Sequence, residues 1–135
     1  MGKPKKYGSP LGKTYRSQLE EKTAKQLKKS GVKFEYEPYT ISYTQPAVCR
    51  KYSPDFVLGN GVVLEVKGLL TAEDRKKHLL IKEQKPDLDV RFIFGNSRNK
   101  IYRGSKTTYA DWAQKNGFQY ADYKDLKTWT KWLEE

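Results

Sequence analysis

The chain has 135 residues, a formal net charge of +11 and an aromatic content of 13%. This length fits one domain with its own core, and the aromatic content is too high for a disordered basic chain. A single cysteine, Cys49, excludes an internal disulfide, and the apolar runs are too short for a signal peptide or a membrane span. We therefore expect a folded, intracellular protein whose charge suits a polyanion.

The positive charge is concentrated in two stretches. Residues 1–16 and 90–106 each carry five basic side chains and no acidic one, which together supply +10 of the net charge. Patched charge of this kind favours contact with nucleic-acid phosphates over a role in solubility alone. With the basic start of a later helix, the candidate DNA-binding residues are Lys5, Lys6, Lys13, Arg16, Arg75, Lys76, Lys77, Arg98, Lys100 and Arg103.

The first predicted helix follows a basic N-terminal segment. Residues 1–14 are rich in Lys, Gly and Pro without hydrophobic periodicity, which predicts a mobile basic arm. Ser17 then begins a helix that ends at Gly31. Ser17 and Glu20 have the spacing of a capping box, in which the Glu20 carboxylate reaches back to the N-cap amide. A capping box would by itself explain why the chain has a glutamate at position 20.

Two short strands are predicted next, over residues 32–36 and 39–43, with Pro38 between them. Glu35 lies on the polar face of the first strand. The following segment, residues 44–51, contains a proline and no recognisable hairpin turn. We expect it to stay extended and to leave the body of the domain.

The most unusual stretch runs from Tyr52 to Gly68, where ionisable residues interrupt two apolar strands. Residues 59–61, Gly-Asn-Gly, give a strong hairpin signal because they tolerate positive φ. The interrupting residues are Asp55 on the first strand and Glu65 and Lys67 on the second. Glu65 and Lys67 are two residues apart, so they share one face of their strand.

The position of Asp55 depends on the hairpin register. A three-residue loop at 59–61 places Asp55 opposite Glu65, whereas a two-residue turn would place it opposite Val66. We prefer the first register. Facing carboxylates repel unless a cation lies between them, so this register predicts a magnesium site. In the alternative reading, Asp55 is a turn residue, and Glu65 and Lys67 form an exposed ion pair.

The remaining elements predict the fold class. Thr71 begins a second helix with Asp74 at the capping-box position, and residues 90–94 are a buried strand. A helix between two strands predicts an α/β (α+β) protein with a mixed central β-sheet flanked by helices. His78, the only histidine, is expected to pack or to contact phosphate rather than to act as a general base.

Two short helices are predicted to follow, the first ending at Gly117. The tryptophans Trp112, Trp129 and Trp132 are expected to lie in the core rather than to stack on bases.

Two resemblances emerge from these residues. Pro54-Asp55, nine intervening residues and Glu65-X-Lys67 resemble the signature of the PD-(D/E)XK nuclease superfamily. Between residues 15 and 121 the chain also resembles the bacteriophage endonuclease I family, the Holliday junction resolvases of podoviruses. The matching segments are Tyr-Arg-Ser-Gln-Leu-Glu, Lys-Phe-Glu-Tyr-Glu, Tyr-Ser-Pro-Asp-Phe, Glu-Val-Lys-Gly-Leu, Asp-Arg-Lys-Lys-His-Leu-Leu-Ile and Asp-Leu-Asp-Val-Arg.

The family resemblance implies an active site. Its catalytic residues would be Glu20, Asp55, Glu65 and Lys67, with Glu35 also implicated. Two Mg²⁺ or Mn²⁺ ions per site would activate the water that attacks the phosphodiester, while Lys67 orients that water or stabilises negative charge. The metal ligands would be Asp55, Glu65, Glu20 and the carbonyl oxygen of Val66.

The same resemblance implies a domain-swapped homodimer. A nuclease domain over residues 15–135 would use residues 44–51 as an extended bridge between subunits, so that Glu20 of one chain completes the site of the other. The expected function is a structure-selective endodeoxyribonuclease that resolves four-way and other branched DNA junctions in the host-cell cytoplasm. The alternatives are a sequence-specific or repair PD-(D/E)XK endonuclease, and a non-enzymatic basic DNA-binding protein.

Overall fold

A computed structural model describes residues 7–8, 14–45 and 48–135. Within these ranges the chain forms short strands, four α-helices and a final 3₁₀ helix. The strands are β1 (Tyr7–Gly8), β2 (Thr14–Tyr15), β3 (Phe34–Tyr36), β4 (Ile41–Gln45), β5 (Val48–Tyr52), β6 (Phe56–Leu58), β7 (Val63–Lys67), β8 (Val90–Phe94) and β9 (Gln119–Asp122). The helices are α1 (Gln18–Lys29), α2 (Ala72–Gln84), α3 (Tyr109–Lys115), α4 (Leu126–Thr130) and the 3₁₀ helix Lys131–Glu134.

The central sheet has the strand order β3-β6-β7-β8-β9. Strands β3, β6 and β7 are antiparallel neighbours, whereas β7, β8 and β9 are parallel. Helix α2 provides the crossover between β7 and β8, as parallel pairing requires. The mixed sheet of the α+β prediction is therefore confirmed, while β9 was not predicted because its sequence lacks a clear apolar alternation.

Helices cover both faces of this sheet. On one face, Leu27 of α1 and Trp129 of α4 pack with Leu64 and other residues that point to that side. On the other face, Trp112 of α3 packs against Phe92. All three tryptophans are buried, which confirms their predicted place in the core.

The predicted extended bridge has a different structure in the single chain. Strands β4 and β5 pair with each other, from Ile41 opposite Tyr52 to Gln45 opposite Val48. The expectation of an unpaired segment without a hairpin is wrong for the single chain, whereas a bridge between subunits stays a prediction. Strand β4 is held on α2, because the Gln84 side-chain amide bonds to both the N–H and the C=O of Thr44. Gln84 lies 40 residues after Thr44 in the sequence, so turn composition did not reveal these contacts.

Part of the predicted mobile arm also lies in a strand pair. Strands β1 and β2 are antiparallel, with Tyr7 opposite Tyr15. The candidate DNA-binding residues Lys5, Lys6 and Lys13 lie outside the described residues. None of the helices in the described part of the chain has the length and apolar character to cross a membrane.

Candidate active site

The β6–β7 hairpin has the register that places two acids face to face. The Leu58 N–H donates to the Val62 carbonyl at 2.9 Å, which leaves three residues in the loop, and Gly61 has φ +89°. The pairing continues along both strands and brings Asp55 opposite Glu65. The predicted register is confirmed.

Each of these two acids accepts a hydrogen bond from the opposite strand. The Asp55 N–H donates to Glu65 Oε2 at 3.0 Å, and the Val66 N–H donates to Asp55 Oδ2 at 2.9 Å. The N–H and C=O of one strand residue point to the same side, so the Val66 carbonyl also faces the Asp55 side of β7. These bonds fix both carboxylates against the main chain.

Glu20 joins this pair from α1. The Ser17 hydroxyl caps the helix by accepting from the Glu20 N–H at 3.0 Å, as predicted. The Glu20 carboxylate does not complete the capping box. It accepts from the Tyr36 hydroxyl at 3.1 Å, interacts with Asp55 and is only 4% exposed. The predicted capping box is therefore not formed, because the carboxylate accepts from Tyr36 instead, and a role for Glu20 in the site stays a prediction.

The cluster carries more negative charge than its burial favours. Burial, followed by the charges of Glu65 and Glu20, raises the pKa of Asp55 well above its usual value. Burial likewise raises the pKa of Glu20, although the Tyr36 hydroxyl partly offsets this. Acids arranged in this way bind either a proton or a cation.

The oxygen donors fit a divalent cation. Within the described ranges, no three Asp, Glu, His or Cys side chains are already arranged as a complete metal site. However, the charge of Glu20 raises the pKa of Asp55, and the Val66 N–H donates to Asp55 Oδ2, so the Val66 carbonyl faces the same side of β7. Carboxylate and carbonyl oxygens are the ligands that hard cations such as Mg²⁺ prefer, and a cation would offset the repulsion that raises the Asp55 pKa.

Glu65 is held in its ionised form by two buried side chains. The Tyr52 hydroxyl donates to Glu65 Oε2 at 2.8 Å, and His78 Nε2 lies 3.3 Å from Glu65 Oε1. Burial alone would raise the pKa of Glu65, but His78, Lys67 and the Asp55 amide outweigh it and lower that pKa to about 2. Tyr52 was not predicted as a site residue, because nothing in the sequence distinguishes it from other core tyrosines.

His78 is a packing residue, which confirms one of its two predicted roles. It is 1% exposed, and its ring packs edge-on against Tyr52 and Phe92. Such burial prevents it from contacting a phosphate.

Lys67 lies on the same face as Glu65. Its Nζ atom is 3.3 Å from Asp74 Oδ1 on α2. Burial alone would lower the pKa of Lys67, but the charges of Glu65, Asp74 and Asp55 raise it above its usual value. Lys67 is therefore a cation at neutral pH, which suits charge stabilisation rather than proton abstraction.

Glu35 is not brought into this cluster. It lies on β3 opposite Val57 and is exposed, and no hydrogen bond or ion pair joins it to the other acids of the described chain. Another acid, Glu37, is closer, since its N–H donates to the Asp55 carbonyl at 3.0 Å and its charge acts on Glu20. A role for Glu35 stays a prediction.

Two arginines of the predicted basic surface are engaged inside the fold. The Arg75 guanidinium donates to two main-chain carbonyls at 2.9 Å. Arg91 is 3% exposed and forms ion pairs with Asp89 and Glu135, both at 2.7 Å. Arg91 therefore does not belong to the surface charge counted over residues 90–106, because it is buried and paired with two half-exposed carboxylates.

The other candidate cations are more accessible. Arg16 forms a 2.9 Å ion pair with Glu37, and the Lys77 ammonium lies 5.2 Å from the centre of the Tyr52 ring. Lys76, Arg98, Lys100 and Arg103 are exposed, as is Arg16. Their contact with DNA stays a prediction.

Opposite changes in stability are expected when the two facing acids are neutralised in the metal-free protein. The folded-state pKa of Asp55 is raised, so its contribution to stability is lost as the pH rises, and Asp55→Asn should stabilise the protein at pH 8. The pKa of Glu65 is lowered from 4.5 to about 2, so its contribution is present above the unfolded pKa and is lost as the pH falls. Glu65→Gln should therefore cost roughly 1–3 kcal/mol at pH 7.

Urea unfolding in the presence of a chelator measures both effects. Glu35→Gln is the matched control, because this exposed acid lies outside the cluster. Equal destabilisation by Asp55→Asn and Glu65→Gln would contradict the assigned electrostatics.

The fold and the site define an α+β protein with a centre of three acids and one lysine. A sequence model of the family described as phage endonuclease I matches residues 1–135. The chain belongs to the phage endonuclease I family, which confirms the resemblance.

Two relatives show how far this similarity extends. Endodeoxyribonuclease 1 of Enterobacteria phage T3 is 50% identical over 111 residues, which cover 82% of this chain and 73% of that protein. Endonuclease I of Escherichia phage T7 is 49% identical over 117 residues, which cover 87% of this chain and 78% of that protein.

Proposed function

We propose that this protein is a metal-dependent endodeoxyribonuclease that cleaves four-way and other branched DNA junctions. The observation that carries the proposal is the cluster itself, in which Asp55 faces Glu65, Glu20 meets Asp55 and Lys67 shares the Glu65 face. The phage T3 relative is named an endodeoxyribonuclease and the phage T7 relative an endonuclease, which supports cleavage of DNA. The hairpin with a parallel strand on its far side also suits the PD-(D/E)XK fold.

The acids and one carbonyl provide the proposed metal ligands. Asp55, Glu20, Glu65 and the Val66 carbonyl would hold Mg²⁺ or Mn²⁺, two ions per site. When bound, the metals would supply Lewis acidity and neutralise charge on the phosphate. Glu65 Oε2 already accepts two hydrogen bonds, but an ionised carboxylate keeps further lone pairs for a ligand.

The other site residues have roles that follow from their charge. The Lys67 ammonium is protonated and would stabilise the negative charge that develops on the phosphate. Tyr36 donates to Glu20, and Tyr52 donates to Glu65, so both hydroxyls fix the orientation of an acid. Glu35 would act from outside this contact network.

The proposed functional unit is a homodimer that exchanges the segment before the β4–β5 connection. Glu20 precedes this connection, whereas Asp55, Glu65 and Lys67 follow it. In the structure of the single chain, which we call the closed chain, the four residues meet within one subunit. If β4 of one chain pairs with β5 of another in the register described above, Glu20 would instead complete the partner's site.

A comparison of three substrates tests this function. The protein is incubated with Mg²⁺ and a four-way junction, a linear duplex of the same sequence, or a single strand. We expect the junction to be cut much faster than the other two, and no cutting in a chelator. Efficient cutting of the duplex at one sequence would favour another kind of endonuclease, and tight binding without cutting would favour a DNA-binding protein.

A further inference from the structure

Two loops leave the carboxyl ends of β7 and β8 side by side, next to the proposed active site. Residues 68–71 follow Lys67 at the end of β7, and residues 95–108 follow β8. The Gly95 N–H donates to the Lys67 carbonyl at 3.0 Å, which continues the parallel pairing past the end of β8. Both loops therefore begin within a hydrogen bond of the site lysine.

One guanidinium fastens these loops to each other. Arg75 Nη1 donates at 2.9 Å to the main-chain carbonyls of both Leu70 and Ile101. Two hydrogen bonds to one nitrogen keep those oxygens within about 6 Å of each other. The next residues along the two loops, Leu69 and Tyr102, therefore lie on adjacent parts of the surface.

Leu69 and Tyr102 are unusually exposed for large apolar side chains. Leu69 is 71% exposed and Tyr102 is 61% exposed, whereas no other large hydrophobic side chain in the described ranges exceeds 39%. Single exposed apolar residues are common on protein surfaces and need no explanation. Two that lie next to each other at the rim of an active site indicate a binding surface instead.

The loop that carries Tyr102 is ordered by its own main chain. The Ile101 N–H donates to the Thr107 carbonyl at 2.9 Å, so the two sides of the loop pair. At its tip, the Ser105 N–H donates to the Tyr102 carbonyl at 3.0 Å in a turn that uses Gly104 at φ +87°. A side chain on such a preformed turn loses little conformational entropy when it binds a partner.

The charge around Tyr102 indicates which partner this surface binds. Residues 90–106 contain no acidic side chain, and the exposed cations of the loop are Arg98, Lys100, Arg103 and Lys106. This charge would repel the same loop of a second copy of the chain and would attract DNA. An aromatic ring among cations is typical of surfaces on which nucleobases stack.

We propose that Leu69 and Tyr102 bind the uncovered face of a base pair at the branch point of the DNA. The proposal rests on the function proposed above and adds a source of its selectivity. In a linear duplex each internal base pair is covered on both faces by its neighbours, whereas an open branch point leaves faces uncovered. Contact with such a face would hold the branch point beside Lys67, which is two residues from Leu69.

Binding in a chelator tests the Tyr102 contact without cleavage. Dissociation constants are compared for a four-way junction and a linear duplex, with every duplex end closed by a hairpin loop so that only the branch point offers uncovered faces. Tyr102→Ala should weaken junction binding about 10-fold and change duplex binding less than about twofold. Tyr102→Phe keeps the ring and should bind both as the wild type does. Equal losses for Y102A and Y102F would overturn a contact through the ring face.

Leu69→Ala is compared with Leu126→Ala as its matched control. Leu126 is a 39% exposed leucine at the start of α4, which packs on the opposite face of the sheet. L69A should weaken junction binding about 5-fold, because it removes part of the buried apolar contact, whereas L126A should leave it unchanged. Wild-type junction binding by both L69A and Y102A would overturn the proposal.

Fluorescence of 2-aminopurine locates the contact on the DNA. The probe replaces a base that flanks the branch point, and each protein is added to saturation. Stacking of an aromatic ring on the probe should make its fluorescence lower with the wild type and Y102F than with Y102A. A probe in the middle of one arm should show no such difference. Equal fluorescence of the branch-point probe in all three complexes would place Tyr102 away from the branch point.

These results distinguish the contact from the proposed function. Wild-type protein that fails to cut junctions in Mg²⁺ would refute the function itself. Wild-type cleavage that prefers junctions, with the same preference in L69A and Y102A, would refute only the contact. Sedimentation of the free proteins tests the other possible occupant. A change in the number of subunits in L69A or Y102A would assign this surface to a contact between copies of the chain and overturn the proposal.

Discussion

Replacing Lys67 by alanine is expected to reduce the rate of junction cleavage about 10²–10³-fold while junction binding survives. The Lys67 ammonium is protonated and lies on the Glu65 face, where it can stabilise charge on the phosphate. Loss of one such donor affects the transition state more than the bound substrate. Single-turnover cleavage and junction binding in a chelator measure the two quantities separately.

Lys115→Ala provides the control for this change. Lys115 is an exposed lysine in the last turn of α3 and carries the same charge. The Lys115→Ala variant should leave the cleavage rate and junction binding unchanged. If only K67A loses cleavage, the loss cannot be ascribed to net charge. Wild-type cleavage by K67A would remove Lys67 from the proposed mechanism.

Mixing two inactive variants is expected to restore cleavage if the segment before the connection is exchanged. Glu20→Ala and Asp55→Ala are each expected to be inactive. When the two are unfolded and refolded together, half of the dimers should contain one chain of each kind, and each of these has one intact site. About a quarter of the wild-type sites should therefore recover. A cruciform plasmid should then be nicked rather than cut on both strands.

The matched control mixes Asp55→Ala with Glu65→Ala. Both residues follow the connection, so they belong to the same part of any exchanged site, and no combination of the two chains restores an intact one. Recovery only in the first mixture supports exchange. No recovery in either mixture would show that each site forms within one chain, as in the closed structure.

The local sequence was sufficient for features that depend on neighbouring residues. The Gly-Asn-Gly loop predicts the hairpin and allows two registers, and the preferred three-residue loop, with Leu58 paired to Val62, is the one observed. The capping residues Ser17 and Thr71 likewise mark the starts of α1 and α2. These features depend on neighbours within a few residues, so they can be predicted without a structure.

The rest of the site depends on contacts between distant residues. Whether the Glu20 carboxylate turns back to its helix or toward Asp55 is decided by Tyr36, which lies on another element. Similarly, Tyr52 and His78 reach Glu65 from β5 and α2. Their spacing in sequence carries no signal of this convergence. The residues alone therefore indicated Asp55, Glu65 and Lys67, the family resemblance added Glu20, and neither indicated the side chains that hold them.

The pairing of β4 with β5 could form within one chain or, in the proposed exchange, between two chains. If two chains exchange, β4 and β5 pair in the same register and α1 covers the same sheet face, so the contact free energies of the two forms largely cancel. What remains is the conformational energy of the connection and the entropy of association, which depends on protein concentration. In the proposed exchange, the balance between a single chain and a dimer would therefore depend on the connection and on protein concentration, with no separate dimer interface required.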